Sequence, residues 1–256
     1  MLRIRKVNEI RSVEDWFALA PPKLGIRQWA DGRSAKELAK AWFPVPGDPN
    51  VPAELQNLLD SCDGTRGIFL ESGEPERVTD FDTCGGEGRN ADLVLWGRGP
   101  KGDAVISVEA KADEPFGEIA GEYVRGASAR NPRSRVPERF GFLCRGVLGI
   151  DSSHPQACAL RYQLLTAVAG ALAEARLYGA ETVVVIIHEF VGATDPSKVS
   201  ANAADLNRFV VGLSGGRTQA IRPGEMAGPF TVPGNEHFAG TRGLFLGKCR
   251  RDVQSA

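Results

Sequence analysis

Hydrophobic and polar positions change period along this chain, and the changes mark its elements. In the first sixty residues apolar side chains recur at helical spacing, interrupted by prolines. Two segments, Ser12-Val13-Glu14-Asp15 and Ser34-Ala35-Lys36-Glu37, resemble capping boxes, in which a hydroxyl and a carboxylate satisfy free N–H groups at a helix start. The second predicts an amphipathic helix running through Trp42 and Phe43, stopped by Pro44 and Pro46. A shorter helix is expected over 52–60, with Pro52 in its first turn. From residue 67 the period becomes two. Strands are expected over 67–71, 91–96 and 104–111, the last two joined by turn formers at 97–103, which reads as an antiparallel hairpin. Residues 116–150 show no clear period. A long helix is expected over 155–178, with Leu160, Leu164, Val168, Ala171 and Ala175 on one stripe and Gly179 ending it. Residues 182–187 are apolar throughout, as in a strand covered on both faces. A helix over 203–213 and a strand over 244–247 complete the pattern. Helices alternating with strands predict an α/β fold, a mixed central β-sheet flanked by helices. No repeat or linker divides the chain, so a single domain over 1–256 is expected.

The hairpin pattern also predicts a register. With the turn centred between Pro100 and Lys101, Asp92 falls opposite Glu109, Val94 opposite Ser107 and Trp96 opposite Val105. The other face then carries Leu93, Leu95, Ala104, Ile106, Val108 and Ala110, all apolar, and a slip of one residue would mix the faces. Lys111, two residues beyond Glu109, projects to the same side. Two carboxylates and an ammonium group at the open end of a hairpin suit a divalent cation and a phosphate. Mg²⁺ (or Mn²⁺) takes oxygen ligands, often one or two carboxylates, and Asp92, Glu109 and the Ala110 carbonyl are the candidate ligands. Such an ion would polarise a phosphate and acidify bound water, while Lys111 would position the water and stabilise developing charge.

Composition narrows the classes. The chain is 42% hydrophobic and 25% charged, ordinary for a globular protein. No apolar run approaches the roughly 20 residues that span a bilayer, and the basic residues near Met1 precede no apolar stretch, so neither membrane insertion nor a secretory signal is expected. Five cysteines, none in a C-x-x-C pair, argue against zinc or a disulfide framework and for free thiols in a reducing cytoplasm. The net charge of −1 hides an uneven distribution. Between Glu71 and Asp92 seven acids face two arginines, whereas between Arg125 and Arg145 six arginines face Glu138 alone. Arg130, Arg133 and Arg135 in that basic segment, and Arg161 beyond it, are candidate contacts to a nucleic-acid backbone.

Asp92, a hairpin, then Glu109-Ala110-Lys111 closing an apolar strand resembles the PD-(D/E)xK, or restriction-endonuclease-like, nuclease superfamily. The order of elements over about 52–190 resembles its core of helix, three-stranded meander, helix and fourth strand. On that resemblance residues 1–51 form a helical N-terminal extension and 191–256 a C-terminal one. It implies a Mg²⁺-dependent hydrolase that cleaves phosphodiester bonds in nucleic acid, DNA foremost. Asp92, Glu109 and Lys111 would be catalytic, with Gln163 pointing to the metal site from the following helix and Glu54 supporting it from the preceding one. Ala91 stands where the family pattern has proline. Cutting both strands of a duplex would favour a homodimer. The alternative is a catalytically inactive nuclease-like module that binds nucleic acid or a protein partner.

Overall fold

A computed structural model describes residues 1–192, 196–218 and 220–253, apart from the side chain of Arg242. Its strands are β1 (Arg3–Ile4), β2 (Phe69–Thr79), β3 (Arg89–Gly99), β4 (Gly102–Lys111), β5 (Thr182–Val191), β6 (Glu225–Val232) and β7 (Thr241–Asp252). The helices are α1 (Val13–Leu19), α2 (Ser34–Trp42), α3 (Ala53–Asp60), α4 (Ala120–Arg130), α5 (Val136–Leu143), α6 (Pro155–Cys158), α7 (Tyr162–Tyr178) and α8 (Pro196–Leu213). The strands form one seven-stranded mixed sheet in the order β1-β2-β3-β4-β5-β7-β6. β2, β3 and β4 make an antiparallel meander, β5 runs parallel to β4, and β7 runs parallel to β5. The chain is therefore α/β, with helices on both faces of a mixed sheet.

Each face of the sheet has its own core. Leu93, Leu95, Ile106, Val108, Val184 and Ile186 pack beneath α1, α2 and α3, with Trp16 and Trp42 buried among them. Val94, Val105, Val183, Val185 and Ile187 pack beneath α5, α7 and α8. The expected apolar strand is the centre of both: Val183, Val184, Val185, Ile186 and Ile187 are each at most 1% exposed. Full burial of such a side chain stabilises by about 1.5–3 kcal/mol, so β5 fixes both layers at once. The segment beyond residue 191, expected as an extension, supplies β6 and β7 to this same sheet.

Several boundaries differ from the expected ones for local reasons. Ser12 caps α1 as expected, its hydroxyl accepting from the Asp15 N–H at 3.0 Å. Ser34, by contrast, is the first helical residue of α2 rather than its cap. Glu37 instead reaches back to the Gly32 N–H at 2.8 Å, and the Ser34 hydroxyl donates to Glu114. The helix expected over 155–178 is broken between α6 and α7. Backbone bonds from Ala120 N–H to the Leu160 carbonyl and from Tyr162 N–H to the Glu118 carbonyl pull this stretch into a bridge between Ile119 and Arg161. The Arg161 guanidinium then ties it to the Gly117 carbonyl and to Asp205. Among the described residues no helix is long and apolar enough to cross a membrane.

Candidate active site

The β3–β4 hairpin has the expected register, from Leu93 opposite Val108 to Gly99 opposite Gly102. The backbone ladder ends at Leu93 and Val108, and the next pair in step is Asp92 and Glu109. There the Asp92 carboxylate accepts the Ala110 N–H at 2.7 Å, using a side chain where the ladder would use a carbonyl. Glu109 and Lys111 lie on the face covered by α7, only 2% and 6% exposed. A buried carboxylate needs partners, and Glu109 has three. Its Oε1 accepts from Lys111 Nζ at 2.8 Å and from Gln163 Nε2 at 2.6 Å, and its Oε2 pairs with the Arg89 guanidinium. Gln163 reaches it from the first turn of α7.

A third carboxylate completes the row. On β2, Pro75 pairs with Leu93 and Arg77 with Ala91, which sets Glu76 opposite Asp92. Glu76, Asp92 and Glu109 thus occupy matching positions on three adjacent strands. Glu76 is held at φ +48°, a left-handed conformation that a side-chain-bearing residue rarely adopts. Its carboxylate accepts from Asn90 Nδ2 at 2.5 Å, and its carbonyl accepts from Lys6 Nζ at 2.8 Å. Burial, reinforced by the nearby negative charge of Asp92, pushes the Glu76 carboxyl up to about 7. Burial lowers the Lys111 pKa, against the pull of Asp92 and with the help of Arg89, so its ammonium gives up a proton more readily than an exposed lysine.

Donor chemistry decides what this row could hold. Carboxylates on neighbouring strand ends are the oxygen donors that a hard divalent cation takes, so Asp92 and Glu109 fit such an ion in kind. The Arg89 guanidinium and the Lys111 ammonium supply positive charge to Glu109. A divalent ion on Glu109 Oε2 would take the place of the Arg89 contact. Among the described residues no three His, Cys, Asp or Glu side chains form a ready ligand cluster. The Ala110 peptide meets Asp92 through its N–H.

The other expected residues divide. Gln163 joins the site. Glu54 does not: it lies across the sheet on α3, where it bonds His188 Nε2 at 2.8 Å and Arg251 Nε at 2.6 Å. His188 sits in register with Ala110, whose side chain faces the core opposite to Glu109. Arg161 is committed to Asp205 and Gly117. Arg130 ends α4, exposed. Arg133 and Arg135 line an open cleft of 790 Å³ that Arg89 and Asn90 also line. Arg89, Asn90 and Glu76 were not apparent from sequence. The acid-rich stretch before Asp92 is the signal for Glu76, but a bulge between Leu70 and Ser72 puts the register of β2 beyond counting; Arg89 and Asn90 open β3, two residues ahead of the expected strand.

No curated protein and no solved structure matches the chain. A family model described as a domain of unknown function, DUF6946, matches residues 9–251, and the chain belongs to that family.

Proposed function

We propose that this chain is a metal-dependent phosphodiesterase of the PD-(D/E)xK kind, acting on nucleic acid and on DNA foremost. One observation carries the reading: Glu109 is engaged at once by Lys111 and Gln163, with Asp92 beside it on the neighbouring strand, at the open end of an antiparallel hairpin. The order α3, meander, α7 and then β5 parallel to β4, with α4, α5 and α6 inserted before α7, resembles that of the restriction-endonuclease-like core.

In this reading Asp92 and Glu109 hold Mg²⁺ or Mn²⁺, which when bound polarises the phosphate and makes a bound water more acidic. Gln163 fixes the Glu109 carboxylate by donating to Oε1. Lys111, its proton loosened by burial, holds the attacking water and stabilises charge on the phosphate oxygens. Arg89, displaced from Glu109 by such an ion, would supply positive charge to the phosphate. A second reading, a catalytically silent binding module, is favoured by the Arg89–Glu109 pair, which neutralises the carboxylate without any metal.

Incubation with plasmid and with single-stranded DNA in Mg²⁺ or Mn²⁺ separates the two. The wild type is expected to cleave, and Lys111→Ala to lose at least about a hundredfold of that activity while melting as a folded protein. Equal cleavage by Lys111→Ala would refute the catalytic assignment. Binding without turnover in the wild type would favour the silent module.

A further inference from the structure

The cleft beside the carboxylate row lies between the loop joining β2 to β3 and the helices α4, α5 and α7. Among the described residues five cations line it, Lys23, Arg89, Arg133, Arg135 and Arg139, against one acid, Glu87, which pairs with Lys23. Two of the arginines are held in place from the loop. Arg135 donates to the Thr83 carbonyl and pairs with Glu138, and Arg139 donates to the Gly85 carbonyl and pairs with Asp82. The Arg133 side chain is exposed. Two tyrosines also line the cleft, Tyr123 from α4 and Tyr162 from α7, their ring centroids 4.5 Å apart. Arg89 connects the cleft to the row, since it lines the first and bonds Glu109 in the second. Its Nε and the Asn90 Oδ1 are buried without a hydrogen-bond partner among the described residues, two polar atoms that a ligand would satisfy.

Guanidinium groups answer phosphates, and paired aromatic rings answer the flat face of a base. A base that is stacked inside a duplex presents no free face to such rings. At 790 Å³ the cleft also has the size of a ligand pocket, generally about 300–1,000 Å³. We infer that this cleft takes a single-stranded segment of nucleic acid, one unpaired base against Tyr123 and Tyr162 and its phosphates on Arg133, Arg135 and Arg139, leading the strand past Arg89 to Glu109. The inference rests on the phosphodiesterase reading for its purpose, though not for its test.

The test measures binding without catalysis. A short fluorescein-labelled single-stranded DNA and a hairpin duplex of the same length are titrated with the full chain in EDTA, and polarisation is followed. Single-stranded DNA is expected to bind at least about tenfold more tightly than the duplex. Tyr123→Ala is expected to weaken single-strand binding by about fivefold or more, and Tyr123→Phe to restore it. Arg133→Ala, an exposed change that the fold tolerates, is expected to weaken it and to flatten its salt dependence. Equal affinity for the duplex, or unchanged affinity in both Tyr123→Ala and Arg133→Ala, would overturn the inference. Single-strand binding with no cleavage in Mg²⁺ would leave it standing and remove the catalytic reading alone. Cleavage of a duplex that binds as well as single strands would do the reverse.

Discussion

At the scale of single residues, the Arg89–Glu109 pair sets the energetics of the site. Both groups are shielded from water, with side chains 11% and 3% exposed. Breaking a buried pair from one side costs up to about 3–5 kcal/mol, less here because Glu109 keeps Lys111 and Gln163. Arg89→Met is therefore expected to lower the urea midpoint markedly in metal-free buffer. If Asp92 and Glu109 take a divalent ion as proposed, Mn²⁺ should raise the melting temperature of this variant more than that of the wild type, because the ion no longer competes with a guanidinium. An equal or smaller shift would argue against an ion at Glu109 Oε2. Asp92, Glu109 and Lys111 were legible because alternation projects them to one side of the hairpin without knowledge of the rest of the fold, whereas Gln163 came from the resemblance. Arg89 and Glu76 were not legible: Arg89 opens β3 ahead of the strand expected from residue 91, and Glu76 lies on β2, whose Ser72-Gly73-Glu74-Pro75 carries turn formers in mid-strand. Glu54 came from the resemblance too, and its helix α3 covers the other face of the sheet.

Elements with a sustained period and clear punctuation emerged with good boundaries, as the hairpin and α3 illustrate, while β5 runs four residues past its expected end. Those governed by tertiary bonds did not. α4 and α5 lie in an arginine-rich stretch whose pattern is set by the cleft they border. β6 is interrupted at Gly228 and Pro229, where its pairing with β7 skips from Ala227 to Phe230. β2 was legible only as far as its bulge. Its pairing with β3 depends on a close approach at Gly97, where a Cβ atom would lie 2.3 Å from the Phe69 carbonyl oxygen and 3.1 Å from the Leu70 Cα. Backbone cannot move aside as a flexible side chain can. Gly97→Ala is thus expected to destabilise by about 1–3 kcal/mol or more, read as a lower urea midpoint with little change in slope. A midpoint equal to the wild type would mean that β2 and β3 are not packed this closely.

Across the whole molecule, Glu54, His188 and Arg251 join α3, β5 and β7 on the face away from the candidate site. Burial alone would raise the Glu54 carboxyl, but the bonds from His188 and Arg251 outweigh it and bring the group to about 2. A carboxyl held below its ordinary value of 4.5 stabilises the fold above that pH, and its contribution disappears as pH falls toward 2. Burial lowers the His188 pKa against the opposing pull of Glu54, so the folded form favours the neutral ring, and this contribution too is lost in acid. Thermal melts of wild type and Glu54→Gln should therefore differ most near neutral pH and converge between 4.5 and about 2. A difference that does not vary with pH would mean that Glu54 is not charged in this triad.

β7 follows β6 along the chain yet lies between β5 and β6 in the sheet. Until β7 has been synthesised and inserted, β6 has no neighbour to pair with, and one edge of the apolar strand β5 stays open as a template for foreign strands. Completion of the sheet must wait for contacts between segments far apart in sequence, the slow kind to form. A nascent chain released or stalled before residue 241 would thus leave that edge of β5 unpaired.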